Sequence, residues 1–186
     1  MRNILIALLL IIVAGCSRMA DQTKWMASVH PLQSATLHKI RIEQSDVTKF
    51  VGLLALEPRA DGIWCILLDA TGIPLIKGLV STDGTMRVEY SVSSRLASRL
   101  PDLLGRVIEY TYFIPASPDC PWYDPYRVCF SSEDSGSIVK WRKLGPIRLW
   151  QVDKKHHKNQ GETITVKMNI PSVLITLQHL DEEPGN

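Results

Sequence analysis

The chain has 186 residues, with 21 Lys and Arg against 19 Asp and Glu, a formal net charge of +2. Balanced charge without a run of cations gives no electrostatic basis for binding nucleic acid. A hydrophobic content of 45% excludes a disordered stalk and fits a globular domain with a sizeable core.

In chain order, Arg2 precedes an uninterrupted apolar run from Ile4 to Val13, after which Ala14 and Gly15 meet Cys16. This is the layout of a secretory signal peptide. The eleven residues from Ile4 to Ala14 fall well short of the roughly 20 that a membrane-spanning helix needs. Val13-Ala14-Gly15-Cys16 resembles a bacterial lipobox, which implies cleavage of residues 1–15 and acylation of Cys16. A single acyl chain holds a membrane only marginally, at about 0.8 kcal/mol per buried CH₂, whereas several chains tether it almost permanently. By the same resemblance, Ser17 after the cysteine favours the outer membrane, with the protein facing the periplasm. Residues 16–34 read as a lipidated N-terminus, tether and short helix, with Asp21 as cap, Trp25 and Val29 on one face and Pro31 as stop. Residues 35–186 read as one domain.

From there the pattern is strand upon strand. Leu37–Ile42 and Phe50–Leu56 come first, the second punctuated by Pro58 and Asp61-Gly62. Ile63–Leu68, Leu75–Val80 and Met86–Tyr90 follow, with an Asp83-Gly84 turn before the last. An Asp-Gly pair between such runs is a strong hairpin signal, so residues 50–90 are predicted to form an antiparallel meander. The period then changes: Ser94 is a good N-cap, Leu96 and Leu100 lie four apart, and Pro101 is expected to halt the helix, with Leu103 and Leu104 extending its face to Gly105. Val107–Ile114 resumes a β pattern, and the proline-rich loop 115–125 carries Trp122 and Tyr123. Five further strands are predicted at 127–130, 137–141, 147–152, 163–168 and 173–180. About ten short strands with few helices predict a mainly β fold: one curled antiparallel sheet, an incomplete β-barrel, with short lid helices. The runs around Leu53, Leu67 and Leu75 are apolar on both faces, so one face must pack against something other than water.

Catalytic signatures are missing. There is no GxSxG elbow, phosphate-cradling glycine loop or HExxH helix, so no enzyme activity and no cofactor are expected. His156 and His157 are adjacent, point to opposite faces of a strand and suit a solvated hairpin tip better than a metal site. Asp69 and Asp83 have the positions of turn formers. Of the three cysteines beyond Cys16, Cys65 sits in an apolar run and reads as a small buried hydrophobe. Cys120 and Cys129 flank the aromatic loop and are candidates for a short disulfide. Trp122 and Tyr123, each with an apolar body and a polar handle, read either as a membrane-interface anchor or as a cap on the open end of the barrel.

Taken in order, the lipobox Cys16, the helix around Trp25, the run Cys65-Ile66-Leu67-Leu68 leading to Thr71-Gly72, then Leu75-Ile76, Asp83-Gly84 and the segment Ser94–Leu104 resemble the LolA/LolB-like lipoprotein-handling family. The resemblance implies an incomplete barrel whose apolar hollow, lidded by short helices, receives acyl chains, in the form that is itself an outer-membrane lipoprotein. The family's membrane-anchored member carries an exposed leucine before a glycine on a central turn; Thr71 stands there in this chain, so no insertion role is expected for that residue. The hollow is expected to be lined by Leu54, Leu56, Leu67, Val80, Val88 and Tyr110. Expected partners are the membrane, through the lipid anchor, and acyl chains or lipidated cargo, with no nucleic acid. The alternative is a non-catalytic structural or partner-binding lipoprotein whose core is filled by its own side chains. The two differ in whether a cavity of several hundred Å³ lies between sheet and lid.

Overall fold

The structure, a computed structural model, describes residues 32–118, 120, 127–132, 137–157, 161–169 and 171–180. The predicted N-terminal helix around Trp25 lies outside these residues. Ten strands form one antiparallel sheet: β1 (Thr36–Gln44), β2 (Val47–Arg59), β3 (Gly62–Asp69), β4 (Pro74–Val80), β5 (Met86–Ser91), β6 (Val128–Ser132), β7 (Ile138–Leu144), β8 (Ile147–His157), β9 (Gly161–Asn169) and β10 (Ser172–His179). Their order is β5-β4-β3-β2-β1-β10-β9-β8-β7-β6, so the sheet is not closed into a barrel. Two five-strand meanders, one from each half of the chain, are joined where β1 pairs with β10.

Burial alternates along most strands. On β1 the buried positions are His38, Ile40 and Ile42, and on β10 they are Val173, Ile175 and Leu177. The period of two puts one apolar face inward and leaves charges such as Lys39 and Arg41 outside. The near end of the sheet, where β1 begins, carries the β2–β3 and β4–β5 turns; the far end carries the β1–β2, β3–β4, β7–β8 and β9–β10 turns.

A single short helix is present among the described residues, α1 (Ser94–Ile108), and a π-helical turn (Glu109–Phe113) continues it. The turn closes with the Ile114 amide donating to the Glu109 carbonyl at 3.0 Å. The helix joins the two free edges of the sheet, β5 and β6, across its inner face. Three sequence expectations are corrected here. Pro101 does not halt the helix but sits inside it, where it removes the backbone bond to the Ala97 carbonyl. Gly105 is not a terminator either: a Cβ there would stand 2.0 Å from the Gly84 carbonyl oxygen, so glycine lets the helix press on the β4–β5 turn. Val107–Ile114 is not a strand. Leu104, Val107, Ile108 and Tyr112 are spaced along one helical face and are all buried, so helical packing overrides the β preference of valine, isoleucine and tyrosine.

A fourth correction concerns Pro58, which lies within β2 and pairs with Ile63 instead of ending the strand. The β1 ladder stops at Thr36 opposite Leu56, so a missing amide two residues later costs nothing on that side. Beyond the π-turn, Ser117 runs alongside β6, donating to the Val128 carbonyl and accepting from the Phe130 amide, both at 2.9 Å. That contact covers part of an edge strand that would otherwise be open to pairing.

Candidate functional site

Cross-strand partners share a face, so the register assigns each candidate side chain. Leu54 stands opposite both His38 and Leu67, Leu56 opposite Cys65, Val80 opposite Ile63 and Met86, and Val88 opposite Gly78. All five candidates from the strands therefore lie on the inner face. One lateral row shows its extent: Ile42, Ile175, Val166, Val152 and Lys140 are successive partners across β1, β10, β9, β8 and β7.

Leu54, Leu56, Leu67 and Val80 are at most 1% exposed and belong to one core with Leu104, Val107, Ile108 and Tyr112. The structure brings these four together under the helix, while Val88 lies at the half-buried margin. Tyr110 reaches the site from the π-turn instead of a strand and stacks on Trp150 of β8, ring centroids 4.4 Å apart and planes 9° off parallel. The lid thus lies against β4 and β5 at one end and grips β8 at the other. An open groove of about 690 Å³ lies at the near end, lined by Leu37, Ala55, Trp64, Ile66 and Leu180. Leu37, Ala55 and Ile66 are cross-strand partners on the outer face, so this groove is not the predicted space between sheet and lid.

Lys140 carries no sequence signal. It interrupts an apolar row, and its Nζ donates to the carbonyls of Ile114 at 2.9 Å and Thr111 at 3.4 Å, which end the π-turn. Burial pushes its pKa down to about 8. A cation on the terminal carbonyls of a helical segment is favourable, and here it pins the lid to β7. Nothing in the sequence distinguishes this lysine from its neighbours Arg142 and Lys143, because its partners are backbone oxygens some 26 and 29 residues earlier.

The near end of the inner face is polar. His38 is 2% exposed, bonds Thr36 Oγ1 through Nε2 at 3.0 Å, and leaves Nδ1 without a partner. Burial, reinforced by the facing His179 ring 5.3 Å away, lowers its pKa to about 4, so it is neutral at pH 7. Lys154 and Glu162 form a 2.7 Å ion pair beside it. Burial raises the pKa of Tyr112, and the Glu162 charge adds to the effect. Among the described residues, no group of three or more His, Cys, Asp or Glu is placed to hold a metal ion. His156 and His157 are exposed at the end of β8.

Cys65 is fully buried and free, and burial pushes its thiol up to about 12, so it packs as a hydrophobe. Cys120 and Cys129 are disulfide-bonded, Cα atoms 5.7 Å apart, tying the segment after the lid to β6. Cys16, Trp122 and Tyr123 lie outside the described residues. Among the described residues no helix is long and apolar enough to cross a membrane. No protein-family model matches the chain, and no curated protein matches it.

Proposed function

We propose that this is a non-catalytic lipoprotein, acylated at Cys16 and held at the periplasmic face of the outer membrane, that accepts acyl chains along the inner face of its sheet with α1 as a displaceable lid. One observation supports the reading. An aliphatic trough running across the sheet is covered by one 15-residue helix with a proline inside it, not by a second sheet. An acyl chain entering the trough would replace Leu104, Val107 and Ile108 with chemically equivalent contacts, each buried CH₂ contributing about 0.8 kcal/mol. Binding of this kind is non-directional and needs no polar triad.

A second reading has its own observation. The near-complete burial of Leu54, Leu56, Leu67 and Val80 favours a filled, partner-binding scaffold. Native mass spectrometry of the full chain extracted in mild detergent separates the two. Carriage predicts an added fatty-acyl or phospholipid mass that is lost on denaturation, whereas the covalent anchor on Cys16 stays. A native mass equal to the denatured mass at every detergent and lipid concentration sinks carriage and leaves the scaffold.

A further inference from the structure

Among the described residues nine large apolar side chains are exposed, and six of them, Val47, Val51, Ile73, Val92, Leu144 and Ile147, sit at the far end of the sheet. Five of the six, all but Val51, are between 52% and 57% exposed. They stand on separate turns and strand ends: Val47 after the β1–β2 turn, Ile73 on the β3–β4 turn, Val92 after β5, and Leu144 and Ile147 on either side of the β7–β8 turn. At the β7–β8 tip Leu144 stands opposite Ile147 and Lys143 opposite Arg148, so two apolar and two cationic side chains share one exposed hairpin end.

Two of these turns have open space beside their glycines. A Cβ at Gly72 or at Gly145 would meet nothing within 4 Å. Both turns are nevertheless held in shape. The Asp69 carboxylate accepts from the Thr71 amide at 2.8 Å, the Thr71 hydroxyl at 2.7 Å and the Ile73 amide at 2.9 Å. The β7–β8 turn uses Gly145 at φ +59° followed by Pro146. Lys143 and Arg148, both exposed, flank Leu144 and Ile147, and exposed Lys49 follows Val47. Among the described acidic residues at this end, Glu43 is paired with Arg41 at 2.6 Å and Asp69 is taken up by its own turn, leaving Asp46. Apolar tips ringed by cations complement a layer that is anionic outside and hydrocarbon within.

We propose that the far end docks on an anionic phospholipid bilayer, with Leu144 and Ile147 at the hydrocarbon boundary and Lys143 and Arg148 on the headgroup phosphates. This is a property of the far end and stands whether or not the inner face carries acyl chains. The test uses the full chain reconstituted with phospholipid vesicles and an environment-sensitive fluorophore on Leu144→Cys, with Asp61→Cys at the near end as reference. Native Cys65 is buried, Cys120 and Cys129 are bonded to each other, and Cys16 is changed to Ser in every labelled variant, so no native thiol competes for the label.

With phosphatidylglycerol in the vesicles, the label at position 144 is expected to shift to an apolar emission that a lipid-borne quencher suppresses, while the label at position 61 stays aqueous. Lys143→Gln with Arg148→Gln is expected to lower the inserted-to-free ratio roughly five-fold per cation. Three results would overturn the proposal. One is identical aqueous emission from both labels. Another is an apolar shift without vesicles that grows with protein concentration, which assigns the far end to a second copy of the chain. The last is insertion into phosphatidylcholine alone that ignores both cations.

Discussion

The two ends of the sheet use the same device, a tight turn containing glycine, for opposite purposes. At the near end the glycines allow contact: a Cβ at Gly62 would stand 2.2 Å from the Val80 carbonyl oxygen, and one at Gly84 would stand 2.5 Å from the Glu109 carboxylate. The turns there are clamped to a neighbouring strand or to the lid. At the far end a Cβ at Gly72 or Gly145 would meet nothing within 4 Å, and their neighbours Ile73 and Leu144 are exposed. The contrast separates a stability region from a presentation region within one layer, and substitutions at the two ends should separate the same way.

The largest effect is expected at Gly105→Ala. Its methyl group would fall 2.0 Å from the Gly84 oxygen, a backbone atom that cannot rotate away. Overpacking of this kind costs about 3 kcal/mol or more, a fall in Tm of roughly 6–12 °C for a domain of this size. Calorimetry showing a loss below about 1 kcal/mol would mean that the near end is not clamped.

Next comes acid. The folded pKa of His38, about 4, lies below its ordinary 6.5, so the unfolded chain takes up the proton first. Stability is fully present above pH 6.5, is lost as pH falls toward 4, and approaches a deficit of about 3 kcal/mol below that. Urea midpoints across this window should fall in the native protein and fall less in His38→Leu. Parallel curves would place the acid sensitivity elsewhere.

The smallest effect belongs to the free end. Gly145→Ala meets no atom, so only the positive φ is penalised, at about 1 kcal/mol. A loss as large as that of Gly105→Ala would erase the distinction between the ends.

What is legible in the sequence follows the same divide between local and non-local causes. The hairpins at Asp61-Gly62 and Asp83-Gly84 and the alternation of β5 are local signals, and they locate β2–β5 within a few residues. The β1–β2 turn is invisible because Ser45 and Asp46 adopt φ +51° and +61° without a glycine to announce it. The start of the lid at Ser94 is legible, but its continuation through Pro101 and past Gly105 escapes a sequence reading because its causes are tertiary. Pro101, Gly105 and the valine and isoleucine at 107 and 108 each argue against helix in isolation, and only burial on the core beneath them makes helix the better packing. The inner-face residues Leu54, Leu56, Leu67 and Val80 are legible as a set, since a period of two fixes the face once the pairing is known. Lys140 is not legible, because its backbone partners leave no mark on composition.

The pairing of β1 with β10 places the first and last strands of the chain side by side in the middle of the sheet. Each meander is local and can assemble from its own hairpins, but their union depends on residues as distant as His38 and His179. A chain emerging from a ribosome or a secretion pore therefore cannot finish this sheet by adding strands at its margin. Half of it waits with an unsatisfied central edge until the final hairpin arrives. Truncation just before Ser172 would split the sheet through its centre, leaving the two halves tied by little more than the lid.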